Sequence, residues 1–444
     1  MFFRCVMLSW QRLLNPIRFG ESPSKQTVDY TRTNFQRDYD RLIFSSPFRR
    51  LQNKTQVFPL PGSVFVHNRL THSLEVSSVG RSLGRSIANL IPPDKFDCPQ
   101  HLISDIPTII SAACLAHDMG NPPFGHSGED AFREFFSKHQ NLPELDNWEL
   151  SDLLRFEGNA NALRLLTHQF KGRRTGGFRL SYATLASIVK YPYPSVLDEK
   201  KYGYFKSEAN VFDEIAIQTG LLHLGDGKYC RHPLVYLVEA ADDICYQVID
   251  IEDAHKLGIL STPKVTELYL SFFSDEPTDK KTDISNTLGS VYDVNERIAY
   301  LRAITISKLI DLCAVNFSKS YTDIINGKPV KPLIQQLHGA PVKAMDEIQN
   351  ISVAEVYNHP KVVEIEIAGF TIIGELLDIF INAILEPGNP LSKKALRLIP
   401  EQYLSDNNNT YSKIMTVVDY ISGMTDIYAL ETYQLFKGIK LPSL

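Results

Sequence analysis

An acidic side chain set inside an apolar helical stripe constrains this chain more than any other feature. In residues 234 to 253, LVYLVEAADDICYQVIDIED, helical spacing aligns Leu234, Val238, Ala241, Cys245 and Ile249, and Asp242 falls inside that stripe one turn after Val238. Burying an unpaired carboxylate costs several kcal/mol even after relaxation, so Asp242 needs a cation, a set of donors or a metal. Asp243 is expected nearer the solvent side. The rest of the chain must therefore bring Asp242 a partner.

Candidates stand in residues 112 to 130, AACLAHDMGNPPFGHSGED, where His117, Asp118, His126, Glu129 and Asp130 can bind metal or move protons. An apolar run from Ile109 to Ala116 follows Pro107, a residue suited to a first helical turn, and Gly120-Asn121-Pro122 would end that helix with His117-Asp118 at its buried end. A second helix is expected to start at Ser127, capped by its hydroxyl with Asp130 three residues on, so that His126 and Glu129 face back toward the dyad. With 12 histidines in 444 residues, about one His-Asp pair is expected by chance, so the dyad needs further ligands to carry weight. His72, in the first turn of a helix over residues 70 to 91 capped by Asn68, supplies one. Two imidazoles and two carboxylates converging from separate helices suit Mn, Mg, Fe or Zn.

At 43% hydrophobic and 22% charged the composition is that of an ordinary globular protein, and a net charge of -5 argues against a general nucleic-acid scaffold. The six scattered cysteines form no CxxC pair and read as reduced thiols of a cytoplasmic protein. Residues 1 to 28 are expected as an N-terminal tail whose opening lacks the build of a signal peptide, and translation could start at Met7. No run is expected to reach membrane-spanning length.

Further along, an amphipathic helical stretch covers residues 29 to 51 through Phe35, Tyr39, Leu42 and Ile43, and a small β-hairpin is expected near residues 55 to 67 around Pro59, Pro61 and Gly62. Helices follow at 126 to 138, 151 to 170 and 180 to 190. The segment 190 to 206 is a loop able to cover a site. The basic pairs Arg49-Arg50 and Arg173-Arg174 read as solvated surface before they read as nucleotide contacts. No phosphate loop, GxGxxG or internal repeat is present. The pattern as a whole is all-α.

The order of His72, His117-Asp118 and Asp242 resembles the HD superfamily of metal-dependent phosphohydrolases. The words RDYDRLIFSSPFRRLQNKTQVFPL, NRLTHSLEV, AHDMGNPPFGHSGE, RFEGNANALRLLT, YLVEAADDICY and DYISGMTDIYA narrow this to a likeness to the bacterial dGTPase, or deoxynucleoside triphosphate triphosphohydrolase, family. The resemblance runs from about residue 29 to the C-terminus and is least in the middle of the C-terminal half. It implies an HD-domain core over residues 29 to 256 and a helical region over 257 to 444 packed on it. It further implies hydrolysis of deoxynucleoside triphosphates, dGTP favoured by the NPPFGH form, to deoxynucleoside and inorganic triphosphate, although some relatives carry His where Asn121 stands. Metal ligation would fall to His72, His117, Asp118 and Asp242, binding Mn2+ or Mg2+ with Fe or Zn as alternatives, and His126 with Glu129 would be the catalytic pair. Arg69 would contact phosphate, Gln56 and Asp250 the sugar 3′-hydroxyl, Tyr246 the sugar face, and Lys190 and Tyr191 the triphosphate and sugar. A homo-oligomer, a nucleotide or single-stranded DNA effector, and no membrane partner are also implied. Another HD-type nucleotide phosphohydrolase, or a dNTPase of broad specificity, is the alternative.

Overall fold

A computed structural model describes residues 7–21, 31–58, 66–139, 142, 144–197, 199–407 and 409–440. The described chain is mainly helical, as expected, with a single two-stranded antiparallel sheet among these residues, His223–Gly225 against Lys228–Tyr229. That pair lies where no strand was read. The expected hairpin falls mostly on residues 59 to 65, outside the described residues, but its flanks meet in an antiparallel bridge between Thr55 and Asn68.

Two apolar cores organise the helices. The first gathers Arg69–Leu90, Gln100–Ala116, Val235–Lys256 and Val294–Ile325 around side chains such as Leu83, Ile110, Ile244 and Leu309. The second gathers Gly125–Lys138, Pro360–Leu385, Thr410–Ser422 and Asp426–Phe436 around Phe132, Phe136, Leu376, Phe380 and Ile421. Each large apolar side chain so buried contributes about 1.5–3 kcal/mol. The chain crosses from one core to the other at residues 117 to 124, the turn between His117 and His126.

Close packing sets the first core. A Cβ on Gly80 would stand 2.6 Å from Cys114 Sγ, and one on Gly84 2.9 Å from Pro107 Cα, so the two glycines let the Arg69–Leu90 helix approach the Gln100–Ala116 helix more closely than any side chain would. The Ser77 and Ser111 hydroxyls, 2.7 Å apart, bond across the same seam. Pro107 sits inside its helix, which begins at Gln100 behind Pro99. The expected start at Pro107 is therefore corrected: Pro99 is the N-terminal proline, and the carbonyl that Pro107 leaves without a donor is the local defect a mid-helix proline makes.

Three further expectations change. The N-terminal stretch is docked from Leu8 to Phe19: Trp10, Leu13 and Leu14 are buried, Trp10 Nε1 donates to Tyr321 Oη (2.8 Å), and Arg18 pairs with buried Asp38 (2.7 Å). The 151 to 170 helix is two helices, Asn147–Leu154 and Gly158–Thr167, with Glu157 capping the second. Finally, Pro360–Leu385 is long and apolar enough by composition to cross a membrane, which the sequence reading had not anticipated. Its apolar residues Ile373, Leu376, Leu377 and Phe380 are fully buried in the second core, and that packing accounts for them.

Candidate functional site

Asp242 has the partners its position demands. Its Oδ1 lies 3.3 Å from both His72 Nε2 and His117 Nε2, and Lys190 Nζ donates to its Oδ2 at 2.6 Å. The three donor atoms of His72, His117 and Asp242 fall within 4.8 Å of one another. Burial alone would raise the Asp242 carboxyl, but Lys190 and His117 outweigh it and hold it well below the usual carboxylate range. Asp243, expected toward solvent, is half-buried near Lys190, and burial pushes its carboxyl up to about 7.

Whether these residues fit a metal can be tested on His117. Its Nδ1 meets the Cys114 carbonyl at 2.6 Å, which assigns the ring proton there, and its buried Nε2 has no hydrogen-bond donor or acceptor of its own. A lone pair facing a carboxylate oxygen is reconciled either by a proton on Nε2, which the charges of Asp118 and Asp242 favour, or by a metal cation between the two. Two imidazoles and a carboxylate around one point are a donor set that a divalent metal takes.

Asp118 stands beside this cluster and its oxygens are engaged elsewhere: Oδ2 by Arg69 (2.8 Å), Oδ1 by Asn121 Nδ2 (2.6 Å), with His117 Nε2 at 3.6 Å. Burial would raise its carboxyl, and His117 and Arg69 together hold it below the usual range. The structure thus gathers three of the four expected ligands directly and places the fourth at the cluster's edge.

His126 and Glu129 open the Gly125–Lys138 helix. It starts two residues before the expected cap, at a Phe124 of φ 61° and a Gly125 of φ 58°, and Ser127 Oγ donates to Glu366 O (2.5 Å) instead of capping. His126 is 80% exposed, with Nδ1 3.1 Å from Glu129 Oε2. Glu129 is buried and accepts from Gly158 N (2.7 Å), which locks the pair onto the start of the Gly158–Thr167 helix. Arg69 lies between pair and cluster, since a Cβ on Gly125 would meet its Nη2 at 2.7 Å, and its buried Nε has no partner.

Along the Asp242 helix, Tyr246 stacks on Tyr357 (ring centres 5.8 Å apart) and buried Asp250 accepts from Tyr357 Oη (2.9 Å). Burial pushes the Asp250 carboxyl well up. Gln56 is half-buried with an unpartnered Oε1. Tyr191 is half-buried beside Tyr193. Tyr357, Lys54 and Asp426 escaped the sequence reading. Tyr357 lies on an irregular π-turn with no period to read, whereas Lys54 and Asp426 stood inside the words NKTQV and DYISGMTDIYA.

The helix start that carries His72 is itself pinned. His67 holds Asp253 through Nδ1 and Glu75 through Nε2, each 2.8 Å away. Burial opposes its charge, but those two carboxylates raise it from 6.5 to about 10. Its stabilisation is thus complete below pH 6.5 and lost as pH rises toward 10. Replacing His67 with Gln should lower stability by about 3 kcal/mol at pH 6, where buried Asp253 and half-buried Glu75 lose their charged partner. Urea melts should show the deficit shrinking above pH 6.5; a deficit constant to pH 10 would contradict the charged pair.

Fold and site together define an HD-domain protein, and the HD domain model matches residues 69–156, with a phosphohydrolase-associated domain over 337–435. Among its relatives are deoxyguanosinetriphosphate triphosphohydrolase-like proteins of Synechocystis sp. (39% identical over 98% of this chain and all of the relative) and Pseudomonas aeruginosa (37%, the same coverage). The deoxyguanosinetriphosphate triphosphohydrolase of Yersinia pestis is 29% identical over 93% of this chain and 95% of its own. The chain belongs to the deoxyguanosinetriphosphate triphosphohydrolase-like family and is a hydrolase.

Proposed function

We propose that this protein hydrolyses deoxynucleoside triphosphates, dGTP preferred, to deoxynucleoside and inorganic triphosphate. The observation that carries the reading is one helix presenting Asp242 to the two imidazoles and, one and two turns on, Tyr246 and Asp250 on the same flank beside Tyr357. His72, His117 and Asp242, with Asp118 at their edge, would hold a divalent metal, Mn2+ or Mg2+. When bound it supplies Lewis-acid neutralisation of α-phosphate charge.

Water adds at the α-phosphorus, the bond to the 5′-oxygen breaks, and the proton lost by water ends on that oxygen as the sugar hydroxyl. His126 is assigned the proton exchange, with Glu129 orienting its ring. Arg69, with its unpartnered Nε, and Lys190, with donors left beyond Asp242, would hold phosphate oxygens against the repulsion of a net charge of -5. Gln56 and Asp250 would bind the 3′-hydroxyl, and Tyr191 would line the sugar and triphosphate. The exposed apolar side chains Ile427, Tyr428 and Leu430 would be available to a second copy of the chain in a homo-oligomer.

The test is the phosphate product from each of the four dNTPs with Mn2+. Triphosphate, fastest from dGTP, is expected; pyrophosphate or single phosphate would make this another HD-type nucleotide phosphohydrolase, and equal rates would replace the dGTP preference with broad specificity. Tyr246→Ala should narrow the preference for dGTP over GTP by about tenfold or more, because the ring wall that a 2′-hydroxyl would meet is gone. Unchanged discrimination in kcat/KM would remove Tyr246 from that role.

A further inference from the structure

We infer that Asp426 is a positioning residue for the His126–Glu129 pair, a role that rests on the triphosphohydrolase reading above. The pair and the imidazole–carboxylate cluster ride on different cores. His117 ends a helix of the first core, while the helix that His126 opens buries Ala131, Phe132 and Phe136 in the second. Their mutual register is therefore set by the few residues between them and by whatever holds those residues.

Asp426 holds them. Fully buried at the start of the last helix, it accepts from Phe124 N through Oδ1 (3.0 Å) and from Thr55 N through Oδ2 (2.8 Å). One carboxylate thus ties the turn before His126 to the segment carrying Gln56. Phe124 is in the left-handed region, which a residue with a Cβ adopts reluctantly, and such a conformation persists only where the surroundings over-determine it. Here they do. A Cβ on Gly369 would lie 2.5 Å from Phe124 Cβ and Cγ, so glycine alone leaves the ring its place. Lys54 Nζ reinforces the link by donating to Asn121 O (2.6 Å) and Ser422 O (2.8 Å). Without the carboxylate, the buried Thr55 N–H and the half-buried Phe124 N–H are orphaned and Phe124 relaxes toward ordinary backbone, turning Gly125 and His126 with it.

The experiment is a double-mutant cycle with dGTP and Mn2+: wild type, Asp426→Asn, His126→Ala and both together, with Asp426→Ala as a second route. Asn keeps the shape but sets an amide N–H against one of the two backbone donors. Asp426→Asn should lower kcat about 10- to 100-fold, the scale of a small misplacement of a catalytic group. KM should change by less than about threefold and Mn2+ stoichiometry not at all, and the loss should fall below about twofold once His126 is Ala. Equal losses in both backgrounds, or a loss confined to KM or to metal content, would overturn the role. A wild type that holds Mn2+ and turns over no dNTP overturns the triphosphohydrolase reading instead.

Discussion

Asp242→Asn should abolish metal-dependent turnover, lowering kcat by about 10³-fold or more, equivalent to about 4 kcal/mol of lost transition-state stabilisation. The carboxylate does two jobs at once. Oδ1 faces the imidazoles of His72 and His117, and Oδ2 neutralises a half-buried Lys190. An amide offers one neutral oxygen and cannot serve both. Metal linkage separates the two effects. At a metal concentration of 100 times Kd, wild type should gain about 2.7 kcal/mol of stability, and the variant should gain little at the same concentration. Lys190, whose charge Asp242 and Asp243 support against burial, would also lose its partner, so the metal-free variant should melt lower than metal-free wild type. Equal metal-induced shifts in the two proteins would show that Asp242 is not a ligand.

Asp242 was legible because burial is periodic in a helix, and an acid in an apolar stripe is a conflict that only a partner resolves. The cluster it forms with His72 and His117 follows from that conflict plus two histidines at helix positions the pattern could place. What the pattern could not show was how the turn is held. Asp426 follows Thr425, which accepts from Tyr428 N as a helix cap, so an acid there reads as one more favourable charge in a first turn. That its carboxylate instead reaches back to Phe124 and Thr55 is long-range information with no local trace. Proline misled for a related reason: Pro99 and Pro107 are equally good helix openers by residue type, and only the packing of Gly84 against Pro107 shows which lies inside.

The same limit hid how the C-terminal helices are fastened to the rest, and removing that fastening should be the most destabilising single change outside the site. Arg164 is buried with both partners: Nε and Nη2 each lie 2.7 Å from the two oxygens of Asp419, and Nη1 lies 2.8 Å from Glu208 Oε1. Asp419 and Asp426 are the two acids of DYISGMTD, and each binds a different part of the N-terminal half. Burial raises the Glu208 carboxyl and Arg164 opposes it, so Arg164→Met strands two carboxylates in an apolar setting. That should cost about 3–5 kcal/mol at pH 8, the penalty for breaking a buried pair from one side. A chain of this length shifts by about 1 °C per kcal/mol, so the melting temperature should fall by about 3–5 °C. The deficit should shrink toward pH 5, because the stranded Glu208 carboxyl, raised by burial above its unfolded value, takes up a proton in the fold before it does in the unfolded chain. Adding Glu208→Gln and Asp419→Asn to Arg164→Met should recover part of the loss at pH 8. A single variant as stable as wild type at pH 8, or a deficit that grows as pH falls, would show that the charge triad does not fasten the second core to the first.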